Sequence, residues 1–163
     1  MKNLVVSLLA VVVLVLSFQG AVQAQVGVGF KVPPLVLPNF FVSYMLDEHL
    51  MLEGAASLSV FGAASSISAG ANAKLFFDAV EIADLSLKPF VGAGANLSLI
   101  SVNVMGFGST VMAIGVNGLA GMEYQIPDTS LNIFLELGVG ISLQPVGFGI
   151  GGAIGARYDF DLE

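Results

Sequence analysis

The stretch Leu131-Asn132-Ile133-Phe134-Leu135-Glu136-Leu137-Gly138-Val139-Gly140-Ile141-Ser142-Leu143 decides the fold. Its odd positions are all Leu, Ile or Val, and its even positions are Asn, Phe, Glu, Gly, Gly and Ser. Such period-2 alternation is the mark of a β-strand with one apolar face; a helix would mix the two sets. Outward from this stretch the same pattern recurs. Phe148, Ile150, Gly152, Ile154, Ala156, Tyr158 and Phe160 alternate with Gly149, Gly151, Ala153, Gly155, Arg157 and Asp159. Ile67, Ala69, Ala71, Ala73, Leu75 and Phe77 alternate with Ser66, Ser68, Gly70, Asn72 and Lys74.

Turn residues divide residues 25–163 into eight such segments, at about 25–32, 38–46, 50–61, 65–77, 85–104, 109–126, 131–143 and 148–160. Every connection is short, as an antiparallel up-and-down meander requires. A weak internal repeat agrees with four hairpins. Gly27-Val28-Gly29 recurs as Gly138-Val139-Gly140, and Gly106-Phe107-Gly108 recurs as Gly147-Phe148-Gly149.

The chain is 56% hydrophobic and 10% charged, against about 25% charged in an average soluble domain. That balance points to a membrane protein and excludes disorder, and with five Lys and Arg residues it excludes nucleic-acid binding. There is no cysteine, hence no disulfide framework, thiolate metal site or cysteine nucleophile. Lys2, the apolar run Leu4 to Phe18, and Val22-Gln23-Ala24 read as a secretory signal peptide over residues 1–24, cleaved before Gln25. The outer-membrane β-barrel domain is then 25–163.

A sheet whose apolar face meets lipid must close, because hydrocarbon offers nothing to an open strand edge. Eight strands make a barrel whose interior is filled by side chains. The polar face carries Lys31, Lys74, Lys88 and Arg157, and Glu53, Glu123 and Glu136 share its phase. Opposite charges in a narrow lumen are expected to pair. The expected lumen network is Glu53, Lys74, Lys88, Glu123, Glu136 and Arg157. Its plain reading is a salt-bridged filler; its functional reading is a gate or proton path. One rim, with Asp47, Glu48, Asp78, Glu81, Asp84 and Asp128, is acidic and is expected to face the periplasm together with both termini. The turns of the other rim carry no charge.

At the C-terminus, Gly155-Ala156-Arg157-Tyr158-Asp159-Phe160 resembles the Gly-x-x-aromatic-x-aromatic assembly signal of bacterial outer-membrane proteins, with Gly155, Tyr158 and Phe160 at its defining positions. Ala153 stands where that signal carries a polar residue, and Asp161-Leu162-Glu163 follow its terminal Phe. With the signal peptide and eight alternating segments, the chain resembles a small all-β, eight-stranded, antiparallel up-and-down transmembrane barrel of the OmpA/OmpX type. The resemblance implies a monomer in the lipid bilayer of the bacterial outer membrane, inserted by the outer-membrane insertion machinery.

Small barrels with acyl-transfer activity, the lipid A deacylases and palmitoyltransferases, are similar to this chain only in strand count. That chemistry needs a nucleophilic Ser beside a His base. The one histidine, His49, lies in a charged turn and reads as inert. No catalytic, cofactor-binding or metal-ligating set is expected, and a non-enzymatic structural or surface role follows. Two alternative roles remain: a narrow channel, and a conduit for hydrophobic solutes. Two alternative folds also stand. Pro89 to Met122 carries no charge, which suits a Gly-rich helical inner-membrane protein. A secreted, lipocalin-like carrier would need polar outer faces.

Overall fold

The computed structural model describes residues 25–33, 38–61, 63–104 and 107–161. The expected signal peptide lies outside them. The described residues form the strands β1 (Gln25–Val32), β2 (Asn39–Met45), β3 (Leu50–Phe61), β4 (Ala64–Phe76), β5 (Val80–Ile82), β6 (Leu85–Val104), β7 (Phe107–Gln125), β8 (Leu131–Gln144) and β9 (Val146–Asp161). All pairings are antiparallel, in the order β4-β3-β2-β1-β9-β8-β7-β6-β5, and β4 also pairs with β6. The β4–β6 ladder closes eight strands into a barrel, and β1 against β9 joins the two ends of the chain. No described helix is long and apolar enough to cross a membrane; the described residues form an all-β fold.

The strands fall close to the segments the alternation marks out. The difference is β5. Residues 78–84 read as a turn, yet Val80, Glu81 and Ile82 pair with Leu87, Ser86 and Leu85. Ala83 and Asp84 between them both have positive φ, 49° and 65°. That is the geometry of a two-residue hairpin turn whose twist matches the flanking strands. Three alternating residues were too few to announce a strand.

The barrel is built inside out. Ile133, Leu135, Leu137, Val139, Ile141 and Leu143 of β8 are all exposed on its outer surface. Their even-numbered neighbours turn inward, because successive strand side chains leave opposite faces of the sheet. Tyr44, Tyr124 and Tyr158 share the outward phase near the acidic turns, where aromatic rings mark a membrane–water boundary. The buried apolar side chains Phe41, Met51, Phe76, Phe90, Leu119 and Phe134 cluster inside, toward the acidic end.

Candidate functional site

Three inward rings are accommodated by glycines directly across the sheet. Phe41 pairs with Gly29, Phe90 with Gly121 and Phe134 with Gly155. In each pair the ring tip lies where a Cβ on the glycine would stand. A glycine covered by a cross-strand aromatic is a known means of packing a strongly curved sheet. Here the three pairs let large rings fit in an eight-stranded bore.

Between these rings lies a closed ionic ring. Lys31 Nζ is 2.6 Å from Glu53 Oε1 and 2.9 Å from Glu136 Oε1. Lys74 Nζ is 2.8 Å from Glu53 Oε2 and 3.0 Å from Glu136 Oε2. Two ammonium groups and two carboxylates thus alternate, leaving no net charge. Phe134 faces both cations, with Lys31 Nζ 5.8 Å and Lys74 Nζ 5.0 Å from its centroid. Phe41 covers Lys31 at 5.3 Å, and Phe90 covers Lys74 at 4.9 Å. Ring faces carry negative charge, so they solvate ammonium groups where water is excluded. Asn72 donates to Glu53 Oε1 at 2.9 Å and accepts from Asn117 Nδ2 at 3.0 Å, extending the network upward.

Nearer the acidic rim stands a second cluster. Arg157 Nη1 and Nη2 each donate to one oxygen of Glu123 at 2.9 Å. Arg157 Nε donates to Asp159 Oδ1 at 2.7 Å, and Asn132 donates to Asp159 Oδ2 at 2.7 Å. The guanidinium also lies 3.0 Å from Met51 Sδ. A planar fork meeting carboxylates on two edges is the arrangement for which arginine, rather than lysine, is suited.

Of the six residues read from sequence as a network, Glu53, Lys74, Glu123, Glu136 and Arg157 lie together in the lumen. Lys88 does not join them: it shares their phase, but its side chain is exposed. It sits one inward position below Phe90, whose buried ring separates it from the lumen, and Glu123, its partner in register, turns to Arg157 instead. Lys31 and Asp159 complete the clusters. Both have inward phase, but alternation does not say which charges meet across a bore. The Phe–Gly pairs had a weak sequence trace, an inward Phe in an otherwise small or polar face, and no signal of partner.

Above the ionic ring the lumen is open. A cavity of about 350 Å³ is bounded below by Lys31 and Glu136 and lined by Asn39, Ser57, Asn117 and Gly151 among others. His49 is exposed in the β2–β3 turn, its Nε2 3.8 Å from Asp78 Oδ1. No cluster of three potential metal ligands occurs among the described residues. Tyr158 and Phe160 of the C-terminal strand lie on the outer surface, ring centroids 4.9 Å apart. Gly155 of the same motif is buried beneath Phe134.

No protein-family model and no curated protein matches the chain. Solved structures do. The N-terminal β-barrel domain of Pseudomonas aeruginosa OprF aligns over 84% of this chain and 96% of its own, at 15% identity and a TM-score of 0.63. Neisserial surface protein A aligns over 84% of this chain and 94% of its own, at 18% identity and a TM-score of 0.57. At such identities the likeness is one of fold: the closed eight-stranded barrel of small outer-membrane proteins.

Proposed function

We propose that this chain is a monomeric, non-enzymatic barrel of the bacterial outer membrane with a structural or surface role, its lumen sealed at the acidic end. One observation carries the reading. Two ionic clusters, drawn from strands around the circumference and packed against three phenylalanine rings, occupy the lower bore. The charged residues that meet across the lower bore are paired to one another. On this reading the acidic rim faces the periplasm, and the C-terminal strand with Gly155, Tyr158 and Phe160 is what the insertion machinery engages.

The rival role is a narrow channel gated by the same network. Purified protein in planar bilayers separates the two. The sealed reading expects no stable conductance, and no new conductance from Glu136→Gln or Arg157→Met despite lowered thermal stability. Stable nanosiemens steps from the unaltered protein would overturn it, and a leak created by either variant would identify a gate. Fractionation with heat-modifiable gel migration tests the outer-membrane assignment itself.

A further inference from the structure

Several inward glycines of this barrel are explained by what covers them. Gly29, Gly121 and Gly155 lie under the ring tips of Phe41, Phe90 and Phe134, and a Cβ on Gly94 would collide with Asn72. The glycines of upper β8 and β9 are different. Gly138 pairs with Gly151, and Gly140 with Gly149, so two successive inward rungs carry no side chain. Nothing lies within 4 Å of a Cβ built on Gly149 or Gly151, and the contacts at Gly138 and Gly140 are no closer than 3.4 Å and 3.5 Å. No neighbour requires a glycine at 149 or 151; what the missing side chains leave is room. That room belongs to the cavity of about 350 Å³ above the ionic ring, which Gly138 and Gly151 border.

Across the bore the wall is polar. β4 stands diametrically opposite β9 in the strand order, and β4, β6 and β7 bring Asn72, Asn96 and Asn117 to the inner face. Asn72 and Asn117 flank Gly94 in register and meet over it, Asn117 Nδ2 donating to Asn72 Oδ1 at 3.0 Å. Asn96 likewise lies between Gly70 and Gly115. A glycine beside each amide lets it lie along the wall instead of standing across the bore. Asn72 is committed to Glu53 and Asn117. Among the described residues the Asn96 amide and the Ser57 hydroxyl have no hydrogen-bond partner, and both border the cavity. Its floor is Lys31 and Glu136, paired to each other.

We infer that the upper lumen binds an uncharged sugar of mono- or disaccharide size. The face of a pyranose ring lies on the glycine wall of β8 and β9, and its hydroxyl edge meets the amide wall of β4, β6 and β7. A primary amide has a donor and an acceptor in one plane, and a hydroxyl has both as well, so an amide answers a pair of adjacent hydroxyls. An apolar ligand would take water from Asn96, Ser57 and the ionic floor and return no bond. A charged ligand would find no counter-ion, because the two ammonium groups and two carboxylates of the floor already neutralise one another. The flat C–H face of a sugar ring needs a wall without side chains, which the glycines supply. The volume is at the small end of ligand pockets, enough for a short saccharide and not for a polymer. With the bore below shut, the sugar is captured and not passed. The inference rests in that respect on the sealed lower lumen, and it gives the surface role a ligand.

Saturation-transfer NMR on the unaltered protein in phosphatidylcholine nanodiscs tests this, with empty nanodiscs as the blank. The probes are glucose, galactose, mannose, N-acetylglucosamine, maltose, lactose and trehalose. The expected result is saturable transfer to the ring C–H protons of at least one of them. Gly151→Phe should abolish it: nothing lies within 4 Å of a Cβ there, so the ring enters the cavity without collision. Asn96→Leu, which removes an amide and little volume, should weaken binding roughly fivefold, the loss of about one hydrogen bond. Absence of transfer to every probe would overturn the inference. So would transfer that survives Gly151→Phe in a barrel of unchanged heat-modifiable migration, or an affinity that Asn96→Leu does not move. Equal transfer to glucuronate or glucosamine would overturn the uncharged assignment, and equal transfer to cyclohexanol would overturn the hydroxyl-edge contact. Uptake of the same sugars by proteoliposomes keeps the two readings apart. A sugar that binds and crosses refutes the sealed floor and leaves the site, whereas sugars that do neither refute the site and leave the floor.

Discussion

Glu53 and Glu136 stand on diametrically opposed strands, β3 and β8, and hold the same two lysines between them. Neither carboxylate could be buried alone, since desolvating a charge costs far more than one distant partner returns. Strands of opposite walls are thereby tied through the middle of the barrel, a tie that backbone ladders do not provide.

Glu136→Leu should leave Lys31 and Lys74 on one carboxylate and destabilise the barrel by about 3–5 kcal/mol. Lys74→Met combined with Glu136→Leu restores neutrality around the Lys31–Glu53 pair, and much of that loss should return. The temperature at which gel migration shifts to the unfolded position, followed for both single variants and the double, checks the coupling. Additive losses would show that the ring does not act as a unit.

Arg157 bridges Glu123 and Asp159 with separate edges of its guanidinium. Arg157→Lys keeps the charge but has no planar fork, so it should still lose stability, by about 1–3 kcal/mol. A lysine variant that melts with the unaltered protein would show that charge alone is required.

Gly155 is a packing position as well as part of the C-terminal motif. Gly155→Val places side-chain atoms on the Phe134 ring, and an overpacked core of this kind costs about 1–3 kcal/mol. Phe134→Leu should relieve it. Tyr158→Ala and Phe160→Ala, on the outer surface, should instead slow insertion while leaving the melting of the inserted barrel nearly unchanged. Refolding rate into vesicles and melting of the refolded product distinguish the two effects; rescue of insertion by Phe134→Leu alone would assign Gly155 to packing.

Asp47 accepts from the backbone N–H groups of His49 and Leu50, both at 2.8 Å. These bonds, that from His49 first, hold its carboxyl below the ordinary carboxylate range. Since the folded value is depressed, the turn should keep its stabilisation above the unfolded value and lose it as pH falls through the folded one. The Leu50 amide shift in a pH titration should therefore move below pH 3.8, the ordinary Asp value, and Asp47→Ala should remove the transition and speed amide exchange at both residues. A Leu50 shift that moves only near neutral pH would refute the assignment.

The sequence by itself determined the number of strands in the barrel wall, the phase of each and closure, though not the short β5. Alternation fixes which side chains share a face, and hydrocarbon forbids an open edge along the belt. That is why Ile133 to Leu143 read correctly as one outer face, and why Lys31, Lys74, Arg157 and their carboxylates read as inward. Which of those charges meet was decided by the tertiary structure, because partners across a bore depend on register and stagger that period-2 patterning does not encode. Lys88 shows the difference: its phase is that of Lys74, but its height puts it at the rim, beneath Phe90. The same holds for Phe134 over Gly155, a relation between two strands set by register.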